Sequence, residues 1–360
     1  MADYASRRME LGRVLREAGI DSFIATTPIT MGYYSGFFEG GGERLMALVL
    51  DQSGGMRLFC PALSVNQATR CGIEDVRGFV DGEDPAEAIK SSGLKGRVAV
   101  DDEMLASILL RFQGWLPDVN FSAGSRLAGQ VMRCKNQSEL DELFRAGKMA
   151  DVAFEAVRGS IRAGERESDV GGRLEAAMKA EGGRPMFAIV ATGANGAEPH
   201  HHSDETVLAG GDVMIMDFGC EAGGYMSDIT RTVSIGEPRD PDADRVYQIV
   251  LDAHNAARAV IRPGVTAGEI DGAARKVIEA AGYGEYFVHR TGHGLGMRVH
   301  EEPYIMPGSD EVILEGDCFS IEPGIYLPGR FGVRIENIVT CTADGHASFN
   351  VEPPSSLIRV

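Results

Sequence analysis

Asp217, Asp228, His293, Glu322 and Glu336 are the residues of this chain whose types and settings could do chemistry together. Each stands in a Gly- or Thr-marked context: Asp217-Phe218-Gly219, Ser227-Asp228-Ile229-Thr230-Arg231-Thr232, Gly292-His293-Gly294, Ile321-Glu322-Pro323-Gly324 and Arg334-Ile335-Glu336-Asn337. The four carboxylates carry a formal charge of −4 against a single imidazole. In one pocket they would repel one another strongly unless cations neutralised them. Hard oxygen donors with one His suit a pair of divalent ions such as Mn2+, Fe2+, Co2+ or Zn2+. The chemistry so implied is metal-assisted hydrolysis.

An internal repeat offers a scaffold that would bring these residues together. Ile161-Arg162-Ala163-Gly164 recurs 100 residues later as Ile261-Arg262-Pro263-Gly264, and the helical stretches that follow end at Gly182 and Gly282. Gly211-Asp212, an apolar strand and Asp217-Phe218-Gly219 are matched, at an offset of 105, by Gly316-Asp317, a strand and Glu322-Pro323-Gly324. Pro199-His200 falls opposite Val299-His300. Duplicated helix-then-strand units predict a pseudo-twofold α/β fold with Asp217 and Glu322 at equivalent strand ends. Most strand-end acids are simply solvated, but that does not explain acids at both matched sites. Asp228 and Glu336 follow at 11 and 14 residues, a return-strand distance, with Gly223-Gly224 and Pro328-Gly329 as turns.

The repeat begins after a boundary between residues 123 and 138. Ser138 reads as an N-cap with Asp141 three positions on, followed by a long helix whose face is Leu140, Leu143, Phe144, Gly147, Ala150, Phe154 and Val157. Residues 1–125 alternate helical and strand patterns, as an α/β domain does. Arg7–Ala18 carries a helical stripe (Met9, Leu11, Val14, Leu15, Ala18) closed by Gly19, and Ser22–Thr26, Leu45–Leu50 and Val98–Asp101 read as buried strands. Gly40-Gly41-Gly42 opens no phosphate-loop helix and reads as a flexible loop.

Bulk composition narrows the partners. With 35 basic and 53 acidic residues the net charge is −18, which argues against nucleic acid or an anionic membrane as partner. The longest apolar run is the six residues Leu45–Leu50, far short of a membrane span. Met1–Arg16 has basic residues but no apolar stretch after it, so no secretory signal is expected. Six scattered cysteines without a CxxC pair fit reduced thiols and a cytoplasmic setting; Cys220 and Cys318 read as buried bystanders near the acids.

With the run His289-Arg290-Thr291-Gly292-His293-Gly294-Leu295-Gly296-Met297-Arg298-Val299-His300-Glu301, the five contexts, in order, resemble the prolidase and Xaa-Pro aminopeptidase branch of the pita-bread metallopeptidases. The resemblance implies an α/β protein with an N-terminal creatinase/prolidase-type domain (1–125) and a C-terminal pita-bread catalytic domain (126–360). It implies two divalent ions per chain, Mn2+ ahead of Co2+, Fe2+ or Zn2+. Asp217 would bind one, His293 and Glu322 the other, and Asp228 and Glu336 would bridge them. The implied activity is hydrolysis of Xaa-Pro bonds in dipeptides or short peptides, as an Xaa-Pro dipeptidase or Xaa-Pro aminopeptidase. Family precedent also implies a homodimer in which one chain's N-terminal domain limits access to the other's site.

Two divalent ions roughly 3.5 to 4 Å apart can bring the pKa of a shared water towards neutrality. Glu322 would take that water's proton and pass it to the leaving proline nitrogen. By the resemblance, His200 and His300 would contact substrate and stabilise the oxyanion, with His289 close to the metals. His201 and His202 read as loop residues. Arg334, two residues before Glu336, would project to the same strand face and hold a carboxylate; Tyr326 would line the proline pocket or sit in the core. Some relatives hydrolyse or cleave small non-peptide substrates such as creatine, ectoine derivatives or sulfonium compounds. Non-catalytic binding proteins on the fold typically lose ligands, and this chain keeps the full set.

Overall fold

The computed structural model describes residues 3–360; the stretch read as lacking a secretory signal begins with Met1 and Ala2, which lie outside them. The chain divides into two compact units, Met1–Met132 and Arg133–Val360. In the first, helix α1 (Tyr4–Ala18) buries Leu11, Val14 and Leu15 and ends at Gly19, whose φ of 65° suits a residue without a Cβ. Met9, expected on that face, is exposed, because it stands roughly 200° round the helix from Leu11. There follow β1 (Ser22–Ala25), α2 (Pro28–Ser35), β2 (Ala47–Asp51), β3 (Met56–Pro61), α3 (Val65–Arg70), β4 (Val76–Phe79) and α4 (Ala86–Lys90). β5 (Arg97–Val100), α5 (Ala106–Trp115), β6 (Asn120–Ala123) and α6 (Ser125–Arg133) complete the series, and Met132, the last residue of the first unit, is the penultimate residue of α6. The strands form one mixed sheet in the order β4-β3-β2-β1-β5-β6, with Ile24, Phe59, Val98 and Phe112 in its core.

The second unit opens on α7 (Gln137–Arg158). Its N-cap is Asn136 and not Ser138. Asn136 Oδ1 accepts from Glu139 N at 3.2 Å, and Glu139 Oε2 accepts from Asn136 N at 2.9 Å, a reciprocal capping box. Ser138 only donates to Asn136 Oδ1. Leu143, Gly147, Ala150, Phe154 and Val157 are buried as their spacing predicts, whereas Phe144 is 53 % exposed. One residue on from Leu143 is about 100° further round, off the buried stripe.

The repeat is visible in three dimensions. Helices α8 (Glu167–Ala180) and, beyond α9 (Ala243–Ala259), α10 (Ala267–Ala280) both have 14 residues. Gly164 N donates to Leu208 O at 2.8 Å and Gly264 N to Ile313 O at 2.9 Å, the same link in each half. The first half supplies β7 (Arg184–Thr192), β8 (Val213–Ala222), β9 (Tyr225–Met226) and β10 (Ile229–Ser234). The second supplies β11 (Gly292–Gly294), β12 (Glu301–Ile305), β13 (Cys318–Ile321), β14 (Gly324–Leu327), β15 (Phe331–Arg334), β16 (Asn337–Thr342) and β17 (Gly345–Ser348). With the terminal β18 (Ile358–Arg359), the sheets run β18-β10-β8-β7, with β9 on β8, and β12-β11-β13-β16-β17, beside the hairpin β14-β15. Each half buries its own core: Phe154, Leu174, Met216 and Phe218 in one, Val250, Ile270, Phe319 and Val339 in the other.

Candidate metal centre

The five acid and imidazole side chains come from both halves. Asp217 sits in the middle of β8, paired across to Ile189 of β7 and Thr230 of β10, not at a strand end as the repeat suggested. β8 is simply longer than its counterpart β13, so Glu322 lies just past a strand end while Asp217 does not. Asp228 precedes β10, and His293 is the central residue of β11. Glu336 falls between β15 and β16, which belong to different sheets. Strand alternation therefore does not carry Arg334 and Glu336 to one face; both reach the site because the chain crosses between sheets there. Gly292 and Gly294 flank His293 for a steric reason. A Cβ on either would overlap a carbonyl oxygen of the neighbouring strand, that of Ser320 or of Glu302.

Asp217, Asp228, His293, Glu322 and Glu336 all border one cavity of about 610 Å3. Single ligand atoms of Asp228, His293 and Glu336 lie within 4.8 Å of one another. His293 Nε2 is 3.3 Å from Glu322 Oε1 and 3.7 Å from Asp228 Oδ2. The facing Nδ1 lies 3.1 Å from the carbonyl oxygen of Gly294. Donation from Nδ1–H to that carbonyl leaves the Nε2 lone pair directed at the carboxylates. Burial, helped by neighbouring His300, pushes the His293 imidazole down to about 3, so at physiological pH it is neutral and its Nε2 lone pair could serve a cation.

The carboxyls are pushed the other way. Burial first, with Asp217 adding repulsion and Arg334 opposing it, raises Glu322 to about 7. Asp228 and Glu336 are raised well above the usual carboxylate range by burial, then by the neighbouring acids. Asp217 Oδ1 and Glu336 Oε1 are buried without any hydrogen-bond donor. Two orphaned carboxylate oxygens beside mutually repelling acids and a neutral imidazole form a donor set that fits divalent cations.

His200, His289 and His300 border the same cavity. The His300 ring stands edge-on to His293 at 4.1 Å between centroids. His289 Nδ1 is 2.6 Å from the Arg290 carbonyl oxygen and its Nε2 2.7 Å from the Tyr326 hydroxyl. The carbonyl requires a proton on Nδ1, so Nε2 accepts from Tyr326. Arg334 is 4 % exposed and already committed: Nη2 donates to Asp217 Oδ2 at 2.6 Å, Nη1 to the Tyr326 hydroxyl at 3.0 Å and Nε to Thr230 Oγ1 at 3.0 Å. Tyr326 is 3 % exposed and stands behind Arg334 and His289 instead of forming cavity wall. Of the two placements the sequence left open for it, this is the buried one, with its hydroxyl bonded to both side chains.

Several supporting residues carried no role in the sequence reading. Thr230 Oγ1 donates to Glu336 Oε2 at 2.7 Å while accepting from Arg334. Ser320 Oγ accepts from His293 N at 3.0 Å and donates to Glu322 Oε1 at 3.1 Å. Arg231, buried, donates to the Glu336 carbonyl oxygen at 2.6 Å. Thr230 and Arg231 lie within two or three residues of Asp228 and Ser320 two before Glu322, and that nearness in sequence is the signal that could have drawn notice to them. Cys220 and Cys318 are fully buried.

Residues 141–343 match the model of metallopeptidase family M24, and residues 7–131 match the creatinase/prolidase N-terminal domain. A probable dipeptidase PepE of Mycobacterium tuberculosis is 40 % identical over 364 residues, covering 99 % of this chain and 96 % of its own. An Xaa-Pro dipeptidase of Lactobacillus delbrueckii subsp. lactis is 38 % identical, covering 93 % and 94 % of the two chains. Among solved structures, a recombinant prolidase from Thermococcus sibiricus superposes with a TM-score of 0.94 at 33 % identity, covering 100 % of both chains. Sequence, fold and donor set agree, and the chain belongs to metallopeptidase family M24.

Proposed function

We propose that the protein is a metal-dependent exopeptidase that hydrolyses Xaa-Pro bonds, with dipeptides as its main substrates. The observation that carries this reading is the convergence of four carboxylates and one neutral imidazole on a single cavity in which two carboxylate oxygens lack donors. Asp217, Asp228, His293, Glu322 and Glu336 would hold two divalent ions, with Asp228 and Glu336 shared between them. Bound there, such ions supply Lewis acidity and a water acidic enough to ionise near neutral pH.

The chain's own groups do the rest. Glu322, which borders the cavity, would take the proton that the attacking water gives up as its oxygen adds to the scissile carbonyl carbon, and would pass it to the proline nitrogen as the C–N bond breaks. His300, pushed down by burial, stays neutral and offers a ring N–H to the carbonyl oxygen where negative charge develops. His200 contacts the substrate from the other half. Arg334 fixes the orientation of Asp217, Tyr326 holds Arg334, and His289 in turn holds the Tyr326 hydroxyl. The oxygen-rich donor set accommodates Mn2+, our choice of native metal, as well as Co2+, Fe2+ or Zn2+. We further assign the protein to the cytoplasm as a homodimer with a creatinase-like domain over residues 1–125 and no nucleic-acid partner. The names of the mycobacterial and lactobacillar relatives support a dipeptide substrate.

The test is a panel of Xaa-Pro dipeptides and Xaa-Pro-Yaa tripeptides with Mn2+-loaded protein, beside metal analysis of protein purified without chelator. Release of proline from dipeptides with two ions per chain is expected. Absence of cleavage from every peptide, or less than one ion per chain, overturns the reading. A monomeric mass in light scattering would remove the dimer.

A further inference from the structure

Glu167, His201 and Asp204 offer ligand atoms within 4.8 Å of one another, outside the site described above. Their hydrogen bonds argue against a cation there. Glu167 is fully buried, and its two oxygens already accept four donors: Thr192 N at 2.6 Å, Asn195 Nδ2 at 3.1 Å, His201 Nε2 at 2.7 Å and Asp204 N at 3.3 Å. A carboxylate so occupied has no lone pair left for a metal. Every one of those donors lies in the segment 192–204, and that segment carries His200.

His200 itself makes no hydrogen bond through its ring to another described residue, although it borders the cavity. Its neighbour His201 turns the opposite way, with only 10 % of its side chain exposed, onto Glu167. The return leg is held as well, because Ser203 Oγ accepts from Val190 N at 2.6 Å. The second half contains the same device. Asp271 of α10, 1 % exposed, accepts from Thr291 N at 3.2 Å and Thr291 Oγ1 at 2.8 Å, two residues before His293.

We propose that Glu167, acting through His201, is a positioning residue that fixes the place of His200 in the cavity; the inference rests on the peptidase reading for its kinetic consequence. A buried carboxylate collecting four donors from one loop removes that loop's freedom, and placement to within an ångström can be worth on the order of 100-fold in rate. Replacing it by the amide, Glu167→Gln, keeps the volume but turns two N–H donors towards groups that are themselves donors.

The experiment compares Mn2+-loaded wild type, Glu167→Gln, His200→Ala and the double variant on an Xaa-Pro dipeptide. Glu167→Gln is expected to lower kcat by about 10- to 100-fold, with KM changed far less and bound metal unchanged. In the His200→Ala background the same substitution should cost less than about twofold, because its effect passes through His200. Equal losses in both backgrounds, or a kcat within about twofold of wild type, overturn the proposal. His201→Gln and His201→Ala provide a second pair should Glu167→Gln fail to fold. The amide of Gln can donate where Nε2–H does, so it should retain the activity that Ala loses; equal activities count against the proposal. Histidine-selective NMR reads the same point without turnover. The His200 ring signal should shift or broaden in Glu167→Gln while that of His300 does not, and an unmoved His200 signal overturns the idea even if no peptide is cleaved. Inactive wild type with a moved His200 signal would instead remove the peptidase reading alone.

Discussion

The two halves of the second unit share a scaffold and differ in what they load onto it. The first half contributes only acids, Asp217 and Asp228, to the cluster, whereas the second contributes His293, Glu322 and Glu336. Asp217 is met at 2.6 Å by the Arg334 guanidinium. Glu322, its counterpart, accepts a serine hydroxyl instead, and burial raises it to about 7. Duplication thus supplies a symmetric frame on which the two matched acids meet different partners, a guanidinium at Asp217 and a hydroxyl at Glu322. The supporting acids differ likewise: Asp271 is paired bidentately with Arg275, a permanent cation, where Glu167 is paired with His201.

The strongest way to break the comparison is to remove the residues on which both halves converge. Asp228→Ala and Glu336→Ala, one from each half, should both abolish Xaa-Pro cleavage and reduce bound metal from two ions per chain. The loss should go well beyond the roughly 10- to 100-fold attached to outer-shell partners. Inductively coupled plasma analysis and a proline-release assay check it; if either variant keeps its metal and activity, that residue is not shared between ions.

Exchanging the acids' roles should separate the halves next. Glu322→Gln is expected to lower kcat on the order of 10²- to 10⁴-fold, the range of general acid–base catalysis. Arg334→Lys should cost about 10- to 100-fold, since one ammonium cannot reach Asp217, Tyr326 and Thr230 as the fork does. Equal effects of Arg334→Lys and Tyr326→Phe would show that support of His289, rather than of Asp217, is what matters.

How far this asymmetry was legible in the sequence depends on the kind of signal. The paired Gly164 and Gly264, with Gly182 and Gly282, mark the duplication because each takes a left-handed φ in the same place. Asp217, His293 and Glu322 were legible because each stands within two residues of a glycine with a steric reason, as Gly292 and Gly294 do beside His293, whereas Asp228 and Glu336 were legible through their spacing from them. Contacts over long separations were not. Spacing could not show that Tyr326 would point behind Arg334, or that His201 would turn onto a helix 34 residues away. At α7, Ser138 and Asn136 are both good caps by type, and only the reciprocal bond with Glu139 decides between them.

The smallest effect concerns stability without metal, and its sign differs between the imidazole and the acids. His293 and His289 are lowered, to about 3 and about 4, so they add stability that is present above the ordinary histidine range and lost as pH falls. Glu322, raised from 4.5 to about 7, does the reverse: its contribution is complete below about 4.5 and is lost as pH rises through about 7. Asp228 and Glu336, raised as well, contribute with the same sign. Between about pH 7 and 8 the two histidines are mostly neutral in the unfolded chain as they are in the folded one, which leaves the acids to dominate the slope. Chelator-treated protein should therefore lose Tm across that window relative to Mn2+-loaded protein, by roughly 2–4 °C for each kcal/mol in a domain of this size. Calorimetry at several pH values with and without Mn2+ measures the gap. A gap that narrows as pH rises would mean that the acids are already relieved of their mutual repulsion in the metal-free protein.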